Sequence, residues 1–192
     1  MSVSQIATEN EVTVKDLLIA FESESNAHAK YTAYAAKADA EGLHGTASLL
    51  RATARSEEIH AKNHARLIRQ LGGEPAAQIQ ALEVRTTLEN LKEALNDEIY
   101  EVDSMYPRLL ANTRGTNNSA AQTFTWALEA EKTHTGLLSE EIEKMKTGSA
   151  DSSNGTALDF YVRAVCGKVS QFAEPGWCWV CNHFCGTFEI IH

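Results

Sequence analysis

A chain of 192 residues, 43 % of them apolar, is long enough to bury one sizeable core and too hydrophobic to stay disordered. Its net charge of −9 argues against nucleic acid or an anionic membrane surface as a partner. No run reaches the roughly 18 apolar residues of a membrane span, and the start, MSVSQIATENEVTVKDLL, lacks the basic-then-apolar pattern of a secretion signal, so the expected location is the cytoplasm.

Residues 1–146 are rich in Ala, Leu, Glu and Lys, a helical composition. Short turns at EGLHGT (41–46) and TRGTNNS (113–119), and a longer connection that starts at LGGEPAAQ (71–78), divide this part. The spacing predicts four helices over 12–40, 46–71, 86–112 and 119–146. Two hairpins joined by a longer crossover make an all-α four-helix bundle.

Each predicted helix carries an apolar stripe. The first has Val14, Leu17, Phe21, Tyr31 and Ala35, and the second Leu50, Ala54, Ala61, Leu67, Ile68 and Leu71. The third has Leu88, Leu91, Leu95, Val102, Met105 and Leu109, and the fourth Phe124, Leu128, Leu138, Ile142 and Met145. Every stripe is interrupted at mid-helix, by Glu24, Glu57, Glu98 and Glu131 in turn. Four glutamates are thus expected to point into the bundle at one level. The two hairpins repeat: a shift of 74 residues carries Val14, Leu17, Phe21, Glu24, Leu50, Ala54, Glu57 and His60 onto Leu88, Leu91, Leu95, Glu98, Phe124, Leu128, Glu131 and His134.

The pattern Glu-x-x-His occurs four times. Glu41/His44 lies in a turn and Glu189/His192 at the chain end, and both are read as solvated. Glu57/His60 and Glu131/His134 are mid-helix, lie on the stripes and are related by the repeat. Their spacing puts both side chains on one helix face. Ionised carboxylates in an apolar interior cost several kcal/mol each, and here they also repel one another. No lysine or arginine shares their stripe level, whereas multivalent cations would neutralise them. Oxygen-rich ligation with two imidazoles suits iron or manganese, and the two-fold arrangement suits two ions. One Glu from each of two helices and Glu-x-x-His from the other two is the ligand pattern of carboxylate-bridged dimetal bundles. Glu101, one turn beyond Glu98, can face the same site; its repeat partner is Ala27, so it makes the site asymmetric. His28 and His64 fall near the stripes and are expected as outer neighbours or rim residues. Tyr31 and Tyr106 are near the same level and could hydrogen-bond a ligating carboxylate.

Residues 147–157, TGSADSSNGTA, read as a linker. The tail, 158–192, holds seven of the fourteen aromatics and all four cysteines, Cys166, Cys178, Cys181 and Cys185. Such clustering favours metal binding over disulfides in a reducing cytosol.

At ESNAHAKYTAYA from Glu24, EEIHAKNH from Glu57, DEIYEVDSMYP around Glu98 and Glu101, and EAEKTH ending at His134, the chain resembles the rubrerythrin family over nearly its whole length. The resemblance implies a ferritin-like bundle followed by a small rubredoxin-like β/loop domain. It implies a di-iron site with Glu24, Glu57, His60, Glu98, Glu101, Glu131 and His134 as ligands, Glu57 and Glu131 bridging. One iron is expected to move between His60 and Glu101 with redox state, with Tyr31 and Tyr106 supporting the ligands. The implied activity is a non-haem peroxidase that reduces hydrogen peroxide to water in oxidative-stress defence. Its electrons would come from NAD(P)H through a rubredoxin or ferredoxin partner. A homodimer with the tail of one subunit near the partner's di-iron site is also implied. The alternatives are an iron oxidase and a non-enzymatic metal-binding module.

The tail departs from the family pattern. Cys178 and Cys181 form one Cys-x-x-Cys pair, but Arg163 stands where the partner of Cys166 is expected. Trp179 and Asn182 replace the usual proline and glycine. Three arrangements stay open: Cys185 or His183 completes an iron or zinc site; Cys185 and Gly186 form the second knuckle and free Cys178; or the tail packs through Phe172, Trp177, Trp179 and Phe188 without metal.

Overall fold

The computed structural model describes residues 3–148, 156–184 and 188–192, with side chains from Asn10 onward. Helix α1 runs Val3–Ala40 and α2 His44–Gln70; α3 is Thr87–Tyr100, α4 Tyr106–Thr113 and α5 Asn118–Thr147. Three helix ends follow from local chemistry. Thr86 and Glu89 form a reciprocal capping box at the start of α3. The Asn117 side chain accepts from the Ala120 amide at the start of α5, 3.0 Å away. Gly148, with φ 63°, ends α5 in the left-handed conformation that favours glycine. The remainder of the expected linker, 149–155, lies outside the described residues.

Two expectations need correction. The first helix begins at Val3 rather than residue 12. The third predicted helix is not one α-helix: Glu101–Met105 form a π turn between α3 and α4. The Tyr106 amide donates to the Glu101 carbonyl, five residues back. Pro107 supplies the reason, because it has no N–H and its ring crowds the preceding turn of a regular helix.

The bundle interior is split in two. One apolar cluster gathers Tyr31, Tyr34, Leu50, Leu91, Leu138 and Ile142. The other gathers Leu17, Ile68, Tyr106, Leu109, Phe124 and their neighbours. Fully burying each such side chain is worth about 1.5–3 kcal/mol, so both halves are substantial. Between them lies the layer of glutamates and histidines.

The tail forms a three-stranded antiparallel sheet of β1 (Phe160–Arg163), β2 (Val169–Ser170) and β3 (Phe188–Ile191), in the order β2-β1-β3. Phe160, Val162 and Val169 join the first apolar cluster of the bundle. Arg55 of α2 clamps both carboxylate oxygens of Glu189, each at 2.6 Å. The Glu189/His192 pair is therefore not simply solvated: its glutamate ties β3 to α2. Within one chain the tail rests on the bundle through these contacts.

Candidate metal centre

The interrupted stripes converge. Glu24 comes from α1, Glu57 and His60 from α2, Glu98 from α3, and Glu131 and His134 from α5, and none is more than 1 % exposed. Glu131 is central: Oε1 lies 2.8 Å from His60 Nδ1 and Oε2 2.6 Å from His134 Nδ1. Glu57 spans the same two rings, at 3.0 Å and 3.2 Å. Glu24 lies on the His60 side at 3.7 Å and Glu98 on the His134 side at 3.3 Å. Two overlapping groups result, Glu24–Glu57–His60–Glu131 and Glu57–Glu98–Glu131–His134, each with potential ligand atoms within 4.8 Å of one another. Glu57 and Glu131 belong to both.

The donor set fits two cations. Glu24 Oε2, Glu57 Oε1 and both Glu131 oxygens are buried and face imidazole Nδ1 atoms without an aligned hydrogen bond among the described residues. Such groups are costly unless something charged faces them. Burial and the Glu131 charge push Glu24 up to about 8. Burial, then Glu131, raises Glu98 well above the usual carboxylate range. Burial also opposes the charge of Glu131, but the two imidazoles beside it outweigh that and hold it low. His60 and His134 show the reverse: burial would lower them, and the surrounding carboxylates raise both well above 6.5. The layer thus favours bound positive charge, and protons and metal ions compete for it.

An outer layer supports these groups. The Tyr106 hydroxyl donates to Glu24 Oε1. His64 Nε2 lies 3.1 Å from the same hydroxyl. His64 is fully buried, so it is not a rim residue, and burial followed by the charge of His60 pushes it down to about 3. Tyr31 donates to the Ala94 carbonyl at 3.4 Å rather than to a carboxylate. His28 Nδ1 meets the Ala54 carbonyl at 2.8 Å and joins neither group.

Glu101 stands apart. It is 4 % exposed but belongs to neither four-residue group. Ser23 Oγ donates to its Oε1 at 2.5 Å. Ser23 and Glu101 also line a cleft of 560 Å³ with Asn26, Lys30, Leu82 and Asp97. Burial, then the Glu24 charge, raises Glu101 well above its ordinary value. Nothing in the sequence marks Ser23, because a small polar residue beside a stripe is common on any helix.

The tail reaches the centre from outside. His60 Nε2 donates to the Cys166 carbonyl at 3.0 Å, and Asn63 Nδ2 to the Val165 carbonyl at 2.9 Å. A Cβ on Gly167 would fall 2.5 Å from His60 Nε2 and from Ser56 Oγ, so only glycine fits there. Cys166, Cys178 and Cys181 are buried, with sulfurs within 4.8 Å of one another. The Cys166 thiol hydrogen-bonds Cys181 and, as the main cause, holds it down to about 5, while Cys166 itself is pushed up. Cys178 belongs to the cluster, and its turn closes at Asn182; Gly186 of the alternative knuckle lies outside the described residues. Cys185 lies outside the described residues.

Residues 15–142 match the family model for rubrerythrin. The chain is 31 % identical to rubrerythrin-2 of Clostridium acetobutylicum over 179 residues, covering 92 % of this chain and 95 % of that protein. It is 30 % identical to nigerythrin of Nitratidesulfovibrio vulgaris over 178 residues, 92 % and 85 % of the two chains. A structure of nigerythrin in its fully reduced, all-ferrous state superposes with a TM-score of 0.81 at 28 % identity, covering 93 % and 86 %. A bacterioferritin of Desulfovibrio desulfuricans shares the fold, with a TM-score of 0.72 at 21 % identity over 79 % and 92 %. The family model spans most of the bundle and the rubrerythrin relatives align over nearly the whole chain, so the chain belongs to the rubrerythrin family of di-iron oxidoreductases.

Proposed function

We propose that the chain is a cytoplasmic non-haem di-iron peroxidase, working as a homodimer. It converts hydrogen peroxide, two electrons and two protons into two waters. The electrons derive from NAD(P)H through a rubredoxin or ferredoxin. Glu24, Glu57, His60, Glu98, Glu131 and His134 would hold the two ions, Glu57 and Glu131 being the carboxylates common to both groups. Iron, when bound, supplies the two electrons that break the O–O bond.

One observation carries the reading: the spare carboxylate Glu101. It sits at the edge of the ligand layer, outside both groups, where the layer meets a cleft. There, held by Ser23, it would be available as a further ligand or as a proton donor to a reacting oxygen, separate from the other six residues. Two buried apolar clusters shield the layer above and below.

Mixing the anaerobically reduced protein with stoichiometric peroxide tests the proposal. Oxidation by peroxide should greatly outpace oxidation by oxygen; equal rates would indicate an oxidase instead. Glu101→Ala should keep two irons per chain and slow peroxide turnover by about 10–100-fold. Unchanged turnover would remove Glu101 from the mechanism.

A further inference from the structure

Two turns of the tail share one construction. The Gly167 amide donates to the Arg163 carbonyl at 2.8 Å, and the Asn182 amide to the Cys178 carbonyl at 2.8 Å. Each turn ends on a residue with positive φ, 77° at Gly167 and 54° at Asn182. Cys166 therefore corresponds to Cys181, and Arg163 to Cys178. A rubredoxin-like iron takes its four thiolates from two such turns. Here the turns supply three. A guanidinium stays protonated and has no acceptor to offer a metal. That of Arg163 is engaged elsewhere: Nη2 donates to the Glu174 carbonyl at 2.7 Å, and the group lies 5.6 Å from the Phe188 ring centre. The residues of the two turns do not fit an iron tetrathiolate.

They do fit another kind of ion. Cys166 Sγ and Cys178 Sγ are 3.8 Å apart, far beyond a disulfide bond. Ligands about 2.3 Å from a tetrahedral ion are separated by about 3.8 Å. Zinc is satisfied by three protein ligands and a fourth group of another kind, needs no redox change and favours thiolate. Charge agrees. Three thiolates and a divalent ion carry one net negative charge. Beside them Arg163 and Lys168, each 4 % exposed, share the single carboxylate of Glu174, leaving one positive charge.

From these observations we infer that Cys166, Cys178 and Cys181 bind one Zn²⁺, or a like thiophilic redox-inert divalent ion, which clamps His60 rather than relaying electrons. The coupling is the Cys166 residue itself. Its sulfur lies in the thiolate cluster, and its carbonyl takes the hydrogen bond from His60 Nε2. Fixing the sulfur fixes the carbonyl. The carbonyl keeps the proton on Nε2 and leaves Nδ1, 2.8 Å from Glu131, directed into the carboxylate layer. The clamp, though not the zinc site, rests on His60 being an iron ligand.

Cobalt(II) titration of the full, metal-free chain tests the zinc site. Sulfur-to-cobalt charge transfer reports thiolates alone and is silent on cobalt in the carboxylate layer. One cobalt per chain should show the intensity of three thiolates and be displaced by one zinc. Cys166→Ser and Cys178→Ser should lower that intensity, while Cys185→Ser and His183→Ala leave it unchanged. A four-thiolate intensity that falls in Cys185→Ser, a ferric tetrathiolate spectrum after iron loading, or no charge-transfer band at all would overturn the site. For the clamp, Fe(II) affinity of the bundle is compared in the wild-type chain with and without one zinc, which needs no variant to fold. Zinc should raise it about tenfold; an unchanged affinity overturns the clamp. Failure of the bundle to bind Fe(II) under either condition would sink the di-iron reading and leave the cobalt result standing.

Discussion

Glu24 shows how much one side chain depends on its surroundings. It is fully buried and pushed up to about 8, and one of its oxygens takes the Tyr106 hydroxyl while the other makes no aligned hydrogen bond among the described residues. The hydroxyl orients the carboxylate so that the second oxygen faces His60. Tyr106→Phe removes that orientation and leaves the buried His64 Nε2 without its neighbour. Bundle affinity for Fe(II) should fall by about 10–100-fold, read by anaerobic titration; full affinity would mean that the hydroxyl does not position Glu24. At this scale the sequence was informative wherever a polar residue broke a periodic apolar stripe. Glu24, Glu57, Glu98 and Glu131 were legible for that reason. Ser23 and Gly167 were not, because their roles arise from residues about 80 to 110 positions away in the chain, whereas His64 was expected beside the stripes and proves to be an outer neighbour rather than a rim residue.

At the scale of the element, the π turn accounts for a mismatch in the repeat. A shift of 74 takes Tyr31 to Met105, yet the tyrosine is at 106. The extra residue is absorbed in Glu101–Met105, which lets Tyr106 face Glu24 while Tyr31, whose hydroxyl is raised by burial and then by Glu98, faces the other side of the layer. Deleting Val102 should restore a regular helix and rotate everything after it by about 100°. Tyr106, Leu109 and Leu110 would then leave their buried positions. We expect a loss above about 3 kcal/mol by denaturant unfolding, against less than about 1.5 kcal/mol for the half-buried Val102→Ala. Equal effects would show that phase does not matter there. The break was half legible: Pro107 signals an interrupted helix, but proline alone does not distinguish a kink, a stop and a π turn.

For the molecule as a whole, the split core makes stability depend on what neutralises the middle layer. Glu24, Glu98 and Glu101 are raised in the folded state, as are His60 and His134. Groups raised on folding stabilise fully below their unfolded values and lose that contribution as pH climbs through the folded ones. For Glu24 the window runs from 4.5 to about 8. Glu131 is depressed and acts oppositely, but only in acid below its ordinary range. The chelated protein should therefore lose thermal stability from about pH 5 to about pH 8. The Fe(II)-loaded protein should hold or gain over the same interval, because metal binding displaces those protons. A chelated protein that became more stable toward pH 8 would contradict the protonated layer. The bundle order was readable from its stripes and turns. The seating of the tail on α2 was not, since Arg55 and Glu189 are 134 residues apart and each alone resembles an ordinary surface charge.

The glycine at 167 gives that seating a further property. With no room for even one methyl group between the tail and His60, the two surfaces have no slack at the point where they meet. A displacement of about an ångström would already break the 3.0 Å hydrogen bond without admitting a water to replace it. Intermediate separations thus lack any compensating contact at this point. Docking of the tail should be all-or-none, and the orientation of one imidazole is the quantity that records which of the two states the chain is in.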